Sequence, residues 1–122
     1  MKYVDGFVLV VPKKNLKAYT KMAAEAGQVW MEHGALEYFE CVGDDLKVMP
    51  GCGLPFPKLA KTKTGETVVF SFIVYKSRAH RDKVNKKVMK DSRITTMMEK
   101  IKPMPFNPKR MSYGGFEVIV EA

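Results

Sequence analysis

Apolar positions along this chain switch period twice, from strand-like to helical and back again. Tyr3 to Val11 is β-branched and aromatic on both alternating faces, which predicts a strand that Pro12 stops. Leu16, Tyr19, Met22, Ala23, Ala26 and Trp30 then fall at three- and four-residue steps, one apolar stripe of a helix ending near His33. Asn15 is placed to cap its start, and Gly34 to end it in the left-handed conformation. Leu36 to Val42 reads as a second strand, and residues 43 to 66 as a long connection without strong periodicity. Thr67 to Tyr75 is a nearly continuous apolar run, the third strand. Ser77 caps a second helix whose narrow stripe is His80, Val84 and Val88. Asp91-Ser92 marks a break and a new cap before a short helix from Arg93 to Lys100. Pro103, Pro105 and Pro108 force an extended loop, and Gly114-Gly115 lead into a fourth strand, Phe116 to Val120.

The order β-α-β-β-α-β is the ferredoxin-like split pattern: α+β, a four-stranded antiparallel sheet with both helices on one face, in one domain spanning residues 1–122. Two helices cover one face only. Yet strand one carries Tyr3, Phe7, Leu9 and Val11 on one face and Val4, Val8 and Val10 on the other. Strand three sets Val68, Phe70, Phe72 and Val74 against Val69, Ile73 and Tyr75. An apolar face left open exceeds the few hundred Å² that monomers tolerate. Sheet-on-sheet packing with a second copy is the economical cover, so a homodimer forming a dimeric α/β barrel is expected. Such a pair needs about 800 Å² buried per partner.

Composition narrows the class. At 122 residues and 46% hydrophobic, the chain suits a compact domain with a core. Its longest apolar run, Phe7 to Val11, is strand-sized, so no membrane span is expected. Asp5 and Gly6 interrupt any secretory apolar region, which favours the cytoplasm. The net charge of +8 is concentrated: residues 76 to 110 hold twelve of the 21 Lys and Arg and three of the 13 acids. A solvated helix surface is the first reading of that basic segment, and attraction for nucleic acid or anionic metabolites the second. Two cysteines, Cys41 and Cys52, make no disulfide scaffold and lack ligand partners at zinc spacing. No Gly-rich phosphate loop, His-Glu-x-x-His or serine elbow occurs, so no cofactor and no metal is expected.

Several residues carry candidate chemistry. His80 is suited to acid–base work near neutral pH, and its place one turn before Val84 turns it toward the sheet. The competing reading is a core histidine bonded near the helix start. Arg78, Arg81 and Asp82 form a charge cluster in the first turn, where Asp82 also complements the helix dipole. Lys109 and Arg110, followed by Tyr113 on a proline-rich rim, offer a grip for carboxylate or phosphate. Pairing of Arg110 with Glu117 or with a partner chain is the alternative. Asp44 and Asp45 form a turn rather than a cation site. Trp30 packs in the core on its stripe and doubles as a ligand contact. Cys52 lacks a group that would activate it, and Met97, Met98, Met104 and Met111 are gap-filling core.

Tyr3-Val-Asp-Gly-Phe7, Glu32-His-Gly-Ala-Leu36, Glu40-Cys-Val-Gly-Asp-Asp45, Tyr75-Lys-Ser-Arg-Ala-His-Arg-Asp82 and Lys109-Arg-Met-Ser-Tyr-Gly-Gly-Phe-Glu117 resemble, in order and spacing, the YbaA-like family of uncharacterised bacterial proteins. The resemblance implies a dimeric α/β barrel. That superfamily includes cofactor-independent monooxygenases, stress-response barrels and haem-degrading enzymes. The family itself has no established activity and lends no catalytic residues. The chain departs from it at two turns, with Asp91-Ser92-Arg93 where the family has Asp-Pro-Arg and Asn107-Pro108 where it has Asp-Gly.

Three functions fit these features. The first is a small-molecule pocket between helices and sheet, for binding or monooxygenase-like turnover, lined by Phe7, Trp30, Tyr38, Phe70, Phe72 and Tyr113 and reached by His80 or Tyr113. The second is RNA or other nucleic-acid binding through residues 76 to 110, although no aromatics interleave the basic positions. The third is a structural dimer serving a protein partner.

Overall fold

A computed structural model describes residues 1–122. Strands β1 (Tyr3–Pro12), β2 (Glu37–Val42), β3 (Glu66–Tyr75) and β4 (Ser112–Glu117) form one antiparallel sheet in the order β2-β3-β1-β4. Helices α1 (Leu16–Glu32), α2 (Phe56–Leu59), α3 (Arg78–Met89) and α4 (Ser92–Lys100) complete the chain. The architecture is α+β and ferredoxin-like, with the two long helices following β1 and β3 as the periodicity requires.

Residue alternation sorts the sheet into two faces. Register pairs Leu9 with Val69, Asp5 with Ile73 and Tyr3 with Tyr75, so these side chains share the helix-covered face. Leu9, Val11 and Val69 pack there with Tyr19 and Ala23 of α1. Ile73 and Tyr75 pack with Val29 of α1 and with Val84, Val88 and Ile94 of α3 and α4. The opposite face is apolar too, as the alternation predicts. Phe39 of β2, Phe70 of β3 and Phe116 of β4 stand 48, 44 and 63% exposed on it. Phe39, Phe72 and Phe70 form a chain of tilted rings 5.2 and 5.8 Å apart.

Local signals behave largely as their chemistry demands. Ser77 Oγ accepts the His80 backbone N–H at 3.1 Å and starts α3, and the Asp91 carboxylate accepts from Arg93 N and starts α4. Gly34 ends α1 at φ +112°. Asn15 departs from expectation: its side chain caps nothing, and its Nδ2 instead donates to the Pro105 carbonyl at 3.1 Å. A turn of 3-10 helix, Lys13–Asn15, already leads the chain into α1, so the amide is free to tie α1 to the proline loop. The 43–66 connection contains α2, and Phe56 of α2 meets Phe70 edge-on at 6.4 Å over the open face.

The fourth strand corrects the sequence reading, running over Ser112–Glu117 rather than 116–120. Pairing decides its limits. Ser112 lies opposite Val8 and Glu117 opposite Tyr3, where β1 begins. Val118 N still reaches Lys2 O at 3.0 Å, but beyond it there is no strand to pair with, and Ile119 and Val120 are exposed. The paired glycines lie inside this strand. Gly115 sits where a Cβ would run into the Tyr3 ring and Arg81 Nη2 at 2.7 and 2.8 Å, so the close approach explains the glycine.

Candidate functional site

Two clusters of tyrosine and carboxylate flank α1. The first lies under its C-terminal half. Asp5, 8% exposed near the start of β1, has Arg81 Nε 3.7 Å away and accepts from Asn85 Nδ2 at 3.4 Å. Asn85 Oδ1 accepts from Trp30 Nε1 at 3.1 Å and from the Tyr75 hydroxyl at 3.2 Å. Arg81 crosses to β1, where Nη2 donates to the Tyr3 hydroxyl at 3.1 Å and the guanidinium lies 4.9 Å above the Tyr3 ring. Burial and the Asp5 charge push the Tyr75 phenol well above its ordinary value. Asp5 accepts one hydrogen bond, from Asn85, and its charge faces the Arg81 guanidinium, whose buried Nε makes no hydrogen bond.

The second cluster lies between the N-terminal half of α1 and the edge strand β2. Tyr38 and Glu40 are two apart on β2 and so share its helix-covered face. The Glu40 carboxylate accepts from Tyr19 of α1 at 2.6 Å through Oε1 and from Tyr38 at 2.8 Å through Oε2. Burial, helped by that carboxylate, pushes both phenols far above their ordinary value, so they remain donors across any physiological pH. Small residues on α1 make room for this arrangement. A Cβ on Gly27 would stand 2.7 Å from the Tyr38 ring, and Ala23 and Ala24 leave space beside it. The result is a groove of about 400 Å³, apolar on most of its surface, walled by Leu16, Ala23, Val42 and Val69 with the Tyr19–Glu40–Tyr38 triad set into it. That volume lies within the usual range for small-molecule sites. Glu40 forms no ion pair.

The residues singled out from sequence are dispersed. His80 is half-buried at the start of α3, its Nδ1 accepting the Lys76 N–H at 3.0 Å and its ring edge-on to Tyr75 at 6.0 Å. Tyr113 is 72% exposed on β4 and stacks on Phe7 at 5.9 Å, four strand residues away from the Tyr3–Tyr75 pair beside His80. The two do not meet, and neither lines the groove. Trp30, Arg81 and Asp82 gather at the first cluster, where Arg81 Nε lies 3.3 Å from Asp82. Arg78 is exposed. Arg110 forks onto Glu66 at the start of β3, at 2.6 and 3.0 Å, and also donates to Lys61 O at 2.9 Å. This pair of hydrogen bonds from Arg110, with one from the Lys63 N–H, holds the Glu66 carboxyl down at about 2. Lys109 is exposed, its backbone N–H bonded to Asn107 Oδ1 at 3.0 Å.

Tyr19 and Glu40 were not among the candidates. One signal points to them: Tyr38 alternates with Glu40 on the strand that follows the helix carrying Tyr19.

Comparison with known proteins agrees with the architecture. Residues 2–108 match the family described as Protein of unknown function (DUF1428). The chain is 46% identical over 121 residues to the uncharacterised protein YbaA of Escherichia coli strain K12, covering 99% of each chain, and equally so to YbaA of Shigella flexneri. Among solved structures, it is similar to Rv0793 of Mycobacterium tuberculosis, with a TM-score of 0.59, 11% identity and coverage of 100% and 99% of the two chains. A dimeric ferredoxin-like protein from an uncultured marine organism matches with a TM-score of 0.52 and 12% identity over the whole of both chains. At such identities these likenesses describe the fold alone. No helix is long and apolar enough to cross a membrane. The match over most of the length, with the close relatives, settles the assignment: this chain belongs to the DUF1428 family.

Proposed function

We propose that this protein is a homodimer that binds a small, largely apolar molecule in the groove between α1 and β2. The groove carries the reading: an apolar hollow of about 400 Å³ holding a carboxylate that two phenols orient and no cation neutralises. A site with mostly apolar walls and few convergent polar groups is what a small ligand needs. The dimer rests on the open face of the sheet, where Phe39, Phe70 and Phe116 are exposed together. That surface has the make-up of an interface core, and a structural neighbour is itself described as dimeric. The basic helix argues less well for nucleic acid. Phe39, Phe70 and Phe116 lie on the sheet face opposite α3, so they do not stack alongside its lysines.

Native mass spectrometry of the freshly purified protein tests both halves. A dimer retaining a small non-covalent mass is the expected result. Phe70→Asp, which places a charge in the open face, is expected to give monomers that are still folded. A wild-type monomer would end the dimer reading. Ligand-free protein that also fails to take up any member of an apolar fragment library would end the groove reading.

A further inference from the structure

We infer that the groove between α1 and β2 selects an organic cation: a ligand with an apolar or aromatic body and an ammonium or similar positively charged head that meets Glu40. The inference rests on the groove reading above and specifies the class of ligand.

Three observations converge on it. The first is the hydrogen-bond ledger of Glu40. A carboxylate accepts about four hydrogen bonds. Tyr19 takes one position on Oε1 and Tyr38 one on Oε2, which leaves acceptor capacity on each oxygen. The two phenols fix the carboxylate's orientation without neutralising it. The second is charge. The buried and half-buried carboxylates of this chain each face a cation: Asp5 faces Arg81, Glu66 faces Arg110, and Asp91 faces Arg93 and His33, whereas Glu40 is exposed on the edge strand. Glu40 faces none, although the chain carries 21 Lys and Arg. Glu40 is the one charged side chain among those lining the groove. Water reaches this carboxylate, and a cation with its own apolar body would pair with it while covering the apolar walls beside it. The third is the rings. Tyr19 and Tyr38 both line the groove, so an aromatic or apolar body would rest against them. An anionic ligand would meet Glu40 with repulsion, and a neutral one would leave its charge unpaired.

The triad also ties α1 to β2, and a purely mechanical role predicts no preference for ligand charge. Three probes of matched shape separate the cases: 3-phenylpropylamine, 3-phenylpropanol and 3-phenylpropanoate. Each is titrated at pH 7 into the ¹⁵N-labelled full-length protein while backbone amide shifts are followed. The amine is expected to shift amides of residues 16–24 and 38–42, with at least tenfold tighter binding than the alcohol, and the carboxylate to leave them unmoved. Glu40→Gln keeps an acceptor for the phenols and removes the charge, so it should bring amine and alcohol to similar affinity. Equal binding of amine and alcohol to the wild type overturns the cation inference and leaves the groove reading intact. No shift at these residues with any probe overturns both. The wild-type series decides the matter by itself should Glu40→Gln fail to fold.

Discussion

At one end of α1, Trp30, Tyr75 and Asp5 close around Asn85 and Arg81; about three turns away, Tyr19 and Tyr38 close around Glu40 and leave the carboxylate reachable from outside. The ingredients are the same, phenols and a carboxylate between a helix and the sheet. Position in the sheet separates them. Asp5 lies on β1, an inner strand, under α3, where burial of a charge demands a built-in counter-charge. Glu40 lies on β2, an edge strand, where water reaches the carboxylate and no counter-charge is required for folding. The inner carboxylate is matched by a counter-charge inside the protein, whereas the outer one keeps its charge available to a ligand.

Removing each carboxylate in turn gives the largest contrast. Asp5→Val leaves Arg81 without a counter-charge and Asn85 without an acceptor and is expected to cost about 3 kcal/mol, toward the lower end for breaking a buried pair because Arg81 keeps some access to water. Glu40→Gln, on the exposed strand, is expected to cost less than about 1 kcal/mol. Urea unfolding of both variants checks the ranking, and equal losses would mean that Glu40 is as structural as Asp5. A smaller effect comes from filling the space that makes the groove. Gly27→Ala improves helix propensity but drives a methyl into the Tyr38 ring, so a net loss of about 1–2 kcal/mol is expected, with shifted Tyr38 and Glu40 resonances. A gain in stability would show that Tyr38 is free to move away.

Alkaline pH sharpens the same contrast. The phenols of Tyr19, Tyr38 and Tyr75 are all raised in the folded protein, chiefly by burial. The folded state therefore keeps protons that the unfolded state releases above pH 10, and stability falls as pH rises through that value. In Glu40→Gln, Tyr19 and Tyr38 lose the carboxylate's contribution and should ionise earlier in an absorbance titration, while Tyr75 stays unchanged. Earlier ionisation of all three would mean that the substitution loosens the whole molecule.

The mildest effect concerns Glu66, an outer carboxylate held by Arg110. Its folded value is depressed to about 2 from 4.5, so the stability it contributes is present above pH 4.5 and is lost as pH falls toward 2. Glu66→Gln should lower the denaturation midpoint slightly at pH 6, with the gap to wild type narrowing at pH 3. A gap independent of pH would mean that the Arg110 fork contributes through shape rather than charge.

Much of this was legible before the structure. Hydrophobic period marked the strands of residues 3–12 and 66–75 and both long helices, because burial on a pleat or on a helical stripe repeats at a fixed step. Ser77, Asp91 and Gly34 announced their helix ends through hydrogen bonds that reach only a few residues. The candidate residues fared differently. Histidine, arginine and lysine attract notice by chemistry alone, yet Arg110 is taken by Glu66 and His80 bonds the Lys76 amide. The triad joins residues 19, 38 and 40 across a helix-to-strand gap, and only packing reveals that Gly27 lets the ring in.

By itself the chain determined its element order, the two apolar faces of its sheet and the concentration of positive charge on residues 76 to 110, since each is written in local spacing. Tertiary structure alone decided where strand four ends, which carboxylate acquired a counter-charge and which kept free acceptors. Those outcomes depend on which strand lies at an edge and where its neighbour stops, properties of the assembled sheet rather than of any stretch of sequence.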